Sequence, residues 1–360
     1  MSQILETLNS GSEQPIPKTR NKHLRQYSMS GRSHEISTMA ESMIPLVGDV
    51  IVTGQCSVIY AAPNTGKTLL TLRLLADSIR EGRVSGSNVY YVNVDDNLTG
   101  VKEKLAFAEE NGFEMLVEGH QNFTAPKLAG LIQATIDDRT AKNQVVVLDT
   151  LKKFTDLMSK SQSSEFADLS RRFVMSGGTL IALAHTNKNP SSNGRPQYSG
   201  TNDIHSDFDC AVYLLDMGVE KDSGRRFVRF DNFKTRGGVE VASTYSYKVG
   251  DKMSYRDLLN SVQLLSEEDV RKVEETRQKE ADEDLICVVC DCIQVGKRDK
   301  TTLLKEVRTQ AGVSRENVES ILKRYEGKKY GEHLWYWTRG EHGRKTYSLV
   351  TDPSAHHPDF

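Results

Sequence analysis

The stretch Tyr60 to Leu70, YAAPNTGKTLL, constrains the fold more than any other part of this sequence. It has the spacing of a phosphate-binding loop: a small residue, four intervening residues, then Gly-Lys-Ser/Thr. These positions are held by Ala61, Gly66, Lys67 and Thr68. The apolar run CSVIY precedes the loop and the helical pattern from Lys67 to Arg80 follows it. A loop of this form between a buried strand and a helix predicts an α/β domain with a nucleotide site.

The chemistry of such a loop assigns a role to each of its residues. Backbone N–H groups point at the phosphates, and the positive end of the following helix favours their charge. Lys67 is expected to bridge the β- and γ-phosphates, and Thr68 is expected to ligate Mg²⁺ through its hydroxyl. Ala61 stands where glycine is more usual, which is acceptable if the position needs only a small side chain. The predicted nucleotide-contacting residues are Ala61, Ala62, Pro63, Asn64, Thr65, Gly66, Lys67, Thr68 and Leu69.

A second buried run supplies a candidate metal-ordering carboxylate. QVVVLDT ends with Asp149 after four consecutive apolar residues, the form of a Walker B aspartate that reaches Mg²⁺ through water. The alternative is an aspartate that merely ends a strand or caps the next helix. Thr150 follows Asp149, so the base that activates water has to come from another part of the chain.

Composition limits the possible classes. The chain has 360 residues, enough for two folded domains. Its net charge of -2 means that any nucleic-acid-binding surface has to be local. We find no signal peptide and no apolar run of membrane-spanning length, so a cytoplasmic protein without membrane association is expected.

Hydrophobic patterning divides the chain into five segments. Residues 1–40 are polar and predict a flexible tail, and residues 351–360 form a second tail. Residues 41–262 alternate uniformly apolar runs with amphipathic segments, as in a mostly parallel sheet flanked by helices. Residues 263–284 are highly charged and predict a helical linker. Residues 285–350 follow the order of a winged helix: a helix, a helix-turn-helix and a hairpin.

Residues 45–240 resemble a RecA-type ATPase core, most closely that of the RepA-type hexameric helicases. The resemblance rests on polar residues at successive strand ends. YYVNVDDN carries Asp95 and Asp96, where those families place the general base, more often as Glu. GTLIALAHTNK carries His185, similar to the polar sensor that faces the γ-phosphate. The resemblance implies a RecA-like α/β fold with ATP and Mg²⁺ as cofactors. The alternative for both aspartates is a solvated loop.

Two further segments are similar to functional parts of these helicases. The polar loop NKNPSSNGRPQYSG corresponds to the channel loop that grips single-stranded DNA, which would make Lys188 and Arg195 DNA-binding residues. RFDNFKTRGG resembles the Lys-x-Arg pair that reaches a neighbouring subunit's ATP, which would give Lys234 and Arg236 that role. The alternatives are a flexible surface loop and a solvated basic turn. If the second similarity holds, Arg236 acts in trans and hydrolysis requires assembly, expected as a homo-hexamer.

The C-terminal segment contains a local basic surface. Residues 297–329 hold ten Lys or Arg and five acids, a net of +5. The candidate recognition helix runs from Arg315 to Tyr325, and a basic hairpin follows it. Its predicted DNA-binding residues are Arg315, Lys323, Arg324 and Arg344. Winged helices also serve as protein-binding modules. The sequence is therefore compatible with either duplex DNA or a replication protein as the partner of this segment.

These features together predict an ATP-hydrolysing, ring-forming DNA helicase or single-stranded-DNA translocase of replication or recombination. The main alternative is an ATP-controlled DNA-binding regulator or replication-initiation protein with little motor activity. A filament-forming recombinase lacks an evident N-terminal polymerisation motif. A small-molecule kinase would leave the C-terminal module and the Lys-x-Arg pair unexplained.

Overall fold

The computed structural model describes residues 22–41, 43–155, 160–186, 207–220, 222–236, 240–250, 253–340 and 343–352. The chain forms two compact units, the first ending at Leu264 and the second beginning at Leu265. Among the described residues, no helix combines the length and the apolar character needed to cross a membrane.

The first unit contains seven helices among its described residues. They are α1 (Lys22–Arg25), α2 (Ser33–Glu41), α3 (Lys67–Arg80), α4 (Leu98–Asn111), α5 (Lys127–Asp137), α6 (Lys160–Met175) and α7 (Tyr255–Asn260). The helices α1 and α2 lie in the stretch that the sequence predicted as a tail. Two 3₁₀ turns, Gly86–Asn88 and Leu151–Lys153, precede and follow sheet strands.

The strands of the first unit form a large sheet and a small ribbon. They are β1 (Pro45–Val47), β2 (Ile51–Val52), β3 (Cys56–Ala61), β4 (Val89–Asn93), β5 (Glu114–Val117), β6 (Val145–Asp149), β7 (Thr179–His185), β8 (Cys210–Glu220), β9 (Arg225–Lys234), β10 (Ala242–Lys248) and β11 (Gln263–Leu264). The large sheet has the order β11-β10-β9-β8-β3-β7-β6-β4-β5. Pairs from β8 to β5 are parallel, and those from β8 to β11 are antiparallel. The predicted fold class, a mostly parallel sheet flanked by helices, is confirmed.

The sheet is covered on both faces, which explains its uniformly apolar central strands. All six residues of β3 are buried. Side chains alternate along a strand, so Ile59 packs in the core layer that contains Leu70 of α3. Tyr60 packs in the opposite layer with Phe173 of α6. Burial on both faces removes the polar alternation of a half-exposed strand.

The carboxyl ends of four parallel strands meet at one edge of the sheet, here called the carboxyl edge. In the register, Ala61 of β3 lies opposite His185 of β7, and Asn93 of β4 lies opposite Asp149 of β6. The opposite edge, where β3 begins at Cys56, is called the amino edge. Ligands of open α/β sheets bind at the carboxyl ends of the strands, so this register brings the predicted nucleotide residues together.

The second unit contains three helices and a hairpin among its described residues. These are α8 (Glu267–Gln294), α9 (Lys300–Ala311), α10 (Arg315–Arg324), β12 (Trp335–Arg339) and β13 (Lys345–Leu349). One continuous helix, α8, occupies both the predicted linker and the predicted first helix of the module. Asp299, the N-cap of α9, forms a bridge with Thr346 of β13. Trp335 is fully buried in the core, and its Nε1 donates to Leu322 O at 2.9 Å.

Candidate functional site

The phosphate loop, residues 61–68, has a backbone shape that few residue types accept. Gly66 has φ of +88° and Asn64 has φ of +62°, in the left-handed region that glycine and asparagine enter most readily. A Cβ on Gly66 would lie 2.7 Å from Tyr247 Oη, a buried phenol. Thr65 Oγ1 donates to Ala62 O at 2.9 Å. The loop is therefore held by its own hydrogen bond and by the packing of β10 against it.

An arginine that sequence reasoning missed also supports the loop. Arg226 of β9 donates a hydrogen bond to the carbonyl oxygen of Asn64. Its Nε lies 3.7 Å from Asp216 Oδ2 on the neighbouring strand β8. The antiparallel pairing of β8 and β9 brings Arg226 and Asp216 together. No local sequence pattern around residue 226 predicts this contact.

The start of α3 is open to an anion. Its N-cap position is Gly66, which has no side chain to occupy the first-turn N–H groups. Ala62, Pro63 and Asn64 are exposed at the tip of the loop. Leu69 packs in the hydrophobic core, so only its backbone N–H can face a nucleotide.

Lys67, Thr68 and Asp149 converge at the carboxyl edge. Thr68 Oγ1 donates to Asp149 Oδ2 at 2.7 Å, and Lys67 Nζ lies 4.0 Å from Asp149 Oδ1. Lys67 and Asp149 are both buried. Burial lowers the pKa of the Lys67 ammonium, and the Asp149 carboxylate acts in the opposite direction. Lys67 and Thr68 are the last residues of the phosphate loop and the first of α3, and Asp149 is the last residue of β6.

Tyr91 is an unpredicted member of this group. Its hydroxyl donates to Asp149 Oδ2 at 2.5 Å. Burial raises the pKa of the Tyr91 phenol, and the Asp149 carboxylate adds to that effect. A buried tyrosine generally needs a hydrogen-bond partner for its hydroxyl. The tyrosines of the strand-like segment YYVNV were therefore the signal that the sequence offered.

The two aspartates after β4 occupy different surroundings. Asp96 forms an ion pair with Lys104 of α4 and accepts a hydrogen bond from Asn93 Nδ2 at 2.6 Å. Its backbone N–H donates to Asn93 Oδ1 at 3.3 Å. Lys104 is buried, so Asp96 compensates a charge that has little water around it.

Asp95 pairs with the segment that follows β6. Its carboxylate lies 3.7 Å from both Lys152 Nζ and Lys153 Nζ. Both lysines are about half exposed, with side-chain exposures of 50% and 46%. The charge of Asp95 raises the pKa of Lys67 and of His185, against the lowering effect of burial. The two lysines were not predicted, although they lie only three and four residues after Asp149 in the sequence.

His185 ends β7 beside the phosphate loop. Its Nδ1 is buried and has no hydrogen-bond partner among the described residues. Burial lowers the pKa of the imidazole, and the positive charges of Lys67 and Lys152 lower it further. A neutral imidazole with one unused ring nitrogen can accept or donate one hydrogen bond to a ligand at this edge.

Lys234 and Arg236 lie at the amino edge, away from the phosphate loop of the same chain. Lys234 pairs in register with Ala211, which is next to the start of β3. Burial lowers the pKa of Lys234, and the neighbouring Arg236 lowers it further. The six residues of β3 separate this edge from the loop, a span of roughly 20 Å. Neither cation contributes to the nucleotide site of its own chain.

The predicted DNA-binding residues are spread over several parts of the chain. Lys188 and Arg195 lie outside the described residues. Arg315 pairs with Glu319 one turn along α10, at 3.3 Å. Arg324 pairs with Asp282 of α8. Lys323 on α10 and Arg344 beside β13 are exposed.

The residues at the carboxyl edge fit a magnesium nucleotide. A hydroxyl and a carboxylate, the oxygen ligands that Mg²⁺ uses with phosphates, already face one another at Thr68 and Asp149. Lys67 supplies a buried cation next to them, and the uncapped start of α3 supplies N–H groups. Thr68 and Asp149 are the residues that would hold the metal, directly or through water.

Comparison with known proteins agrees with this geometry. Residues 33–191 match the family model described as an AAA domain. This is a P-loop ATPase-type domain with a RecA-like fold, of a kind found in helicases. The matched residues include the phosphate loop and strands β4, β6 and β7, and they end before β8. A search of curated proteins finds no match to the chain.

Proposed function

We propose that this protein is an ATP-hydrolysing, ring-forming DNA helicase or single-stranded-DNA translocase that acts in replication or recombination. One observation carries the proposal: the nucleotide residues and the Lys234–Arg236 pair lie at opposite edges of one sheet. A cation that cannot reach its own site becomes useful when a second copy places its carboxyl edge against it. The expected assembly is a homo-hexamer.

In the proposed mechanism, Lys67 and the backbone N–H groups of residues 64–68, which follow Pro63, bind the phosphates. Thr68 and Asp149 hold Mg²⁺, which when bound supplies positive charge to the phosphate oxygens. The hydrogen bond from Tyr91 orients the Asp149 carboxylate. Each of these groups is buried or backbone-held, so little reorganisation accompanies binding.

Asp95 is the proposed general base. It must take a proton from the attacking water, which requires a carboxylate that is free to approach that water. Asp96 is held by Lys104 and Asn93, whereas Asp95 is 38% exposed and pairs only loosely with two flexible lysines. Movement of Lys152 and Lys153 toward the phosphates would release the Asp95 carboxylate.

His185 is the proposed sensor of the γ-phosphate. Its unused ring nitrogen lies at the end of β7, and the loop with Lys188 and Arg195 begins directly after Thr186. Loss of a hydrogen bond at His185 on hydrolysis would therefore act on this loop. We propose that Lys188 and Arg195 contact single-stranded DNA there.

The second unit is proposed to be a winged helix that recruits duplex DNA or a replication protein. The element order and the bridge between Asp299 and Thr346 support this assignment. The ion pairs of Arg315 and Arg324 engage two of the four predicted DNA contacts within the unit. Lys323 and Arg344 are the better candidates for phosphate contacts.

A second function is favoured by the contacts of Asp95. If both lysines stay paired with the base, hydrolysis is slow and ATP serves to control assembly. The protein is then an ATP-controlled DNA-binding regulator or replication-initiation protein. Weak turnover with and without single-stranded DNA, together with tight binding of a duplex sequence, would distinguish it from a motor.

Steady-state ATPase measurements test the proposal. Turnover is measured without DNA, with single-stranded DNA and with duplex DNA, for the wild type and for Lys67→Ala, Arg236→Ala and Arg256→Ala. The last variant removes an exposed arginine whose described ion pair is with Glu110 and is the control. A motor is stimulated by single strands, and the stimulation is lost in the first two variants only. Turnover that ignores DNA and survives Arg236→Ala would refute the ring motor.

A further inference from the structure

Asp209 forms two hydrogen bonds with Cys56, the first residue of β3, and the phosphate loop begins at the last residue of this strand. Its backbone N–H donates to Cys56 O at 2.8 Å. Its Oδ2 accepts a hydrogen bond from Cys56 N at 3.1 Å. The carboxylate is therefore held by backbone contacts at the amino edge, where β3 begins and β8 begins.

The other oxygen of this carboxylate holds Arg236. Asp209 Oδ1 lies 3.3 Å from Arg236 Nη1. The backbone of Arg236 is held at the same place, because Gln55 Nε2 donates to Arg236 O at 2.5 Å. The guanidinium and the carbonyl oxygen of Arg236 are thus held by Asp209, which precedes β8, and by Gln55, which precedes β3.

The contact leaves much of the guanidinium available. The group has five N–H donors in a planar fork, and Asp209 uses the Nη1 side. This is its one polar contact among the described residues. The Arg236 side chain is 51% exposed and that of Asp209 only 20%, so the pair presents a charge that points outward from a fixed base. An arginine held in this way loses less side-chain freedom when it binds an anion.

We propose that Asp209 is a positioning residue that presents Arg236 to the nucleotide of a neighbouring copy. This inference rests on the proposed function, in which Arg236 acts in trans. The phosphate loop begins at the last residue of β3, and Asp209 forms hydrogen bonds with its first residue, Cys56. One buried strand therefore lies between the nucleotide site of a copy and the arginine that this copy presents to its neighbour. Asp209 and Gln55 are then the groups through which the phosphate-loop strand sets the position of Arg236.

If Asp209 positions Arg236 for a neighbouring copy, a change at Asp209 matters only in the subunit that presents the arginine. If the two residues form an ordinary surface ion pair, it makes no difference which subunit carries the change. Mixed assemblies distinguish the two cases. Arg236→Ala subunits keep the phosphate loop and lack the arginine, whereas Lys67→Ala subunits keep the arginine and cannot hydrolyse ATP. If Arg236 acts in trans, mixing them restores ATPase activity. Asp209→Asn is then added to one partner at a time. Asp138→Asn, at the exposed aspartate that follows α5, is the control.

The expected result is asymmetric. Asp209→Asn in the Lys67→Ala partner, which delivers the arginine, lowers the restored activity by about 10-fold, because small displacements of a catalytic group have effects of that order or more. The same change in the Arg236→Ala partner, and Asp138→Asn in either partner, leave it unchanged.

Two outcomes would overturn the inference while Arg236 still acts in trans. Equal losses from either partner mean that Asp209 supports folding or assembly, and no loss from the delivering partner means that it does not position Arg236. If the simple mixture restores nothing, the trans role of Arg236 itself is wrong, and the role of Asp209 falls with it. The reference mixture thus tells failure of the proposed function from failure of this inference.

Discussion

Tyr91 donates a hydrogen bond to Asp149 across the neighbouring parallel strands β4 and β6. The contact exists because Asn93 pairs with Asp149 in the register, and Tyr91 lies two residues earlier on the same face of β4. The same oxygen of Asp149 accepts the hydrogen bond of Thr68. The orientation of the metal-ordering carboxylate is therefore set both by Thr68 of the phosphate loop and by Tyr91 of β4.

Tyr91→Phe removes this hydrogen bond while retaining the ring. A hydrogen bond to a charged group contributes about 1.5–3 kcal/mol, so we expect the Mg²⁺ concentration for half-maximal ATPase activity to rise about 10-fold. Binding of nucleotide without Mg²⁺ should change little. Tyr255→Phe is the control, because the buried Tyr255 hydroxyl has no hydrogen-bond partner among the described residues. Equal Mg²⁺ titrations for all three proteins would contradict the role of Tyr91.

Asp95→Asn and Asp96→Asn should have opposite profiles. Loss of a general base lowers hydrolysis by about 10²–10⁴-fold, so Asp95→Asn should bind ATP and fail to turn it over. Asp96→Asn leaves the buried Lys104 without its carboxylate and should lower the free energy of unfolding by about 1–3 kcal/mol. Single-turnover hydrolysis and urea unfolding measure the two effects. A stable, inactive Asp96→Asn beside an active Asp95→Asn would reverse the assignment.

Gly66→Ala and Gly82→Ala separate backbone strain from steric conflict. Both glycines have positive φ, +88° and +72°, which costs a non-glycine residue about 1–2 kcal/mol. A Cβ at Gly82 meets nothing within 4 Å, whereas one at Gly66 meets the buried ring and hydroxyl of Tyr247 at 2.7–2.8 Å. Gly66→Ala should therefore lose more stability and also nucleotide affinity. Equal unfolding free energies and unchanged nucleotide titrations would show that Tyr247 does not constrain the loop.

His185 should make the folded state sensitive to acid. Burial, and then Lys67 and Lys152, lower its pKa from the ordinary value of 6.5. Between the lowered pKa and 6.5 the unfolded chain binds more protons, so this contribution to stability is fully present above pH 6.5 and is lost as the pH falls through the folded-state pKa. His185→Asn should lose less stability than the wild type between about pH 7.5 and about pH 5.5.

The comparison is made by denaturant unfolding at both pH values. His120→Asn, at an exposed position, is the control and should follow the wild type. If His185→Asn and the wild type lose the same free energy of unfolding on acidification, His185 does not contribute to the acid sensitivity of the folded state.

Local patterns were sufficient for much of the first unit. The helix predicted from Lys67 to Arg80 has those bounds, because the period of an amphipathic helix is visible in about a dozen residues. The uniformly apolar strands indicated a sheet buried on both faces, and the structure has one. The phosphate loop was predicted for the same reason: its spacing is local and its chemistry leaves little choice of residue.

The sequence by itself therefore determined the fold class, the phosphate loop and the identity of the polar residues at the strand ends. Tertiary structure alone decided how those residues are paired. It pairs Asp95 with Lys152 and Lys153, whereas Asp96 pairs with Lys104. It also brought Tyr91 to Asp149 and Asp209 to Arg236. Such contacts depend on strand order and register, which join residues far apart in the chain, and no local period encodes them.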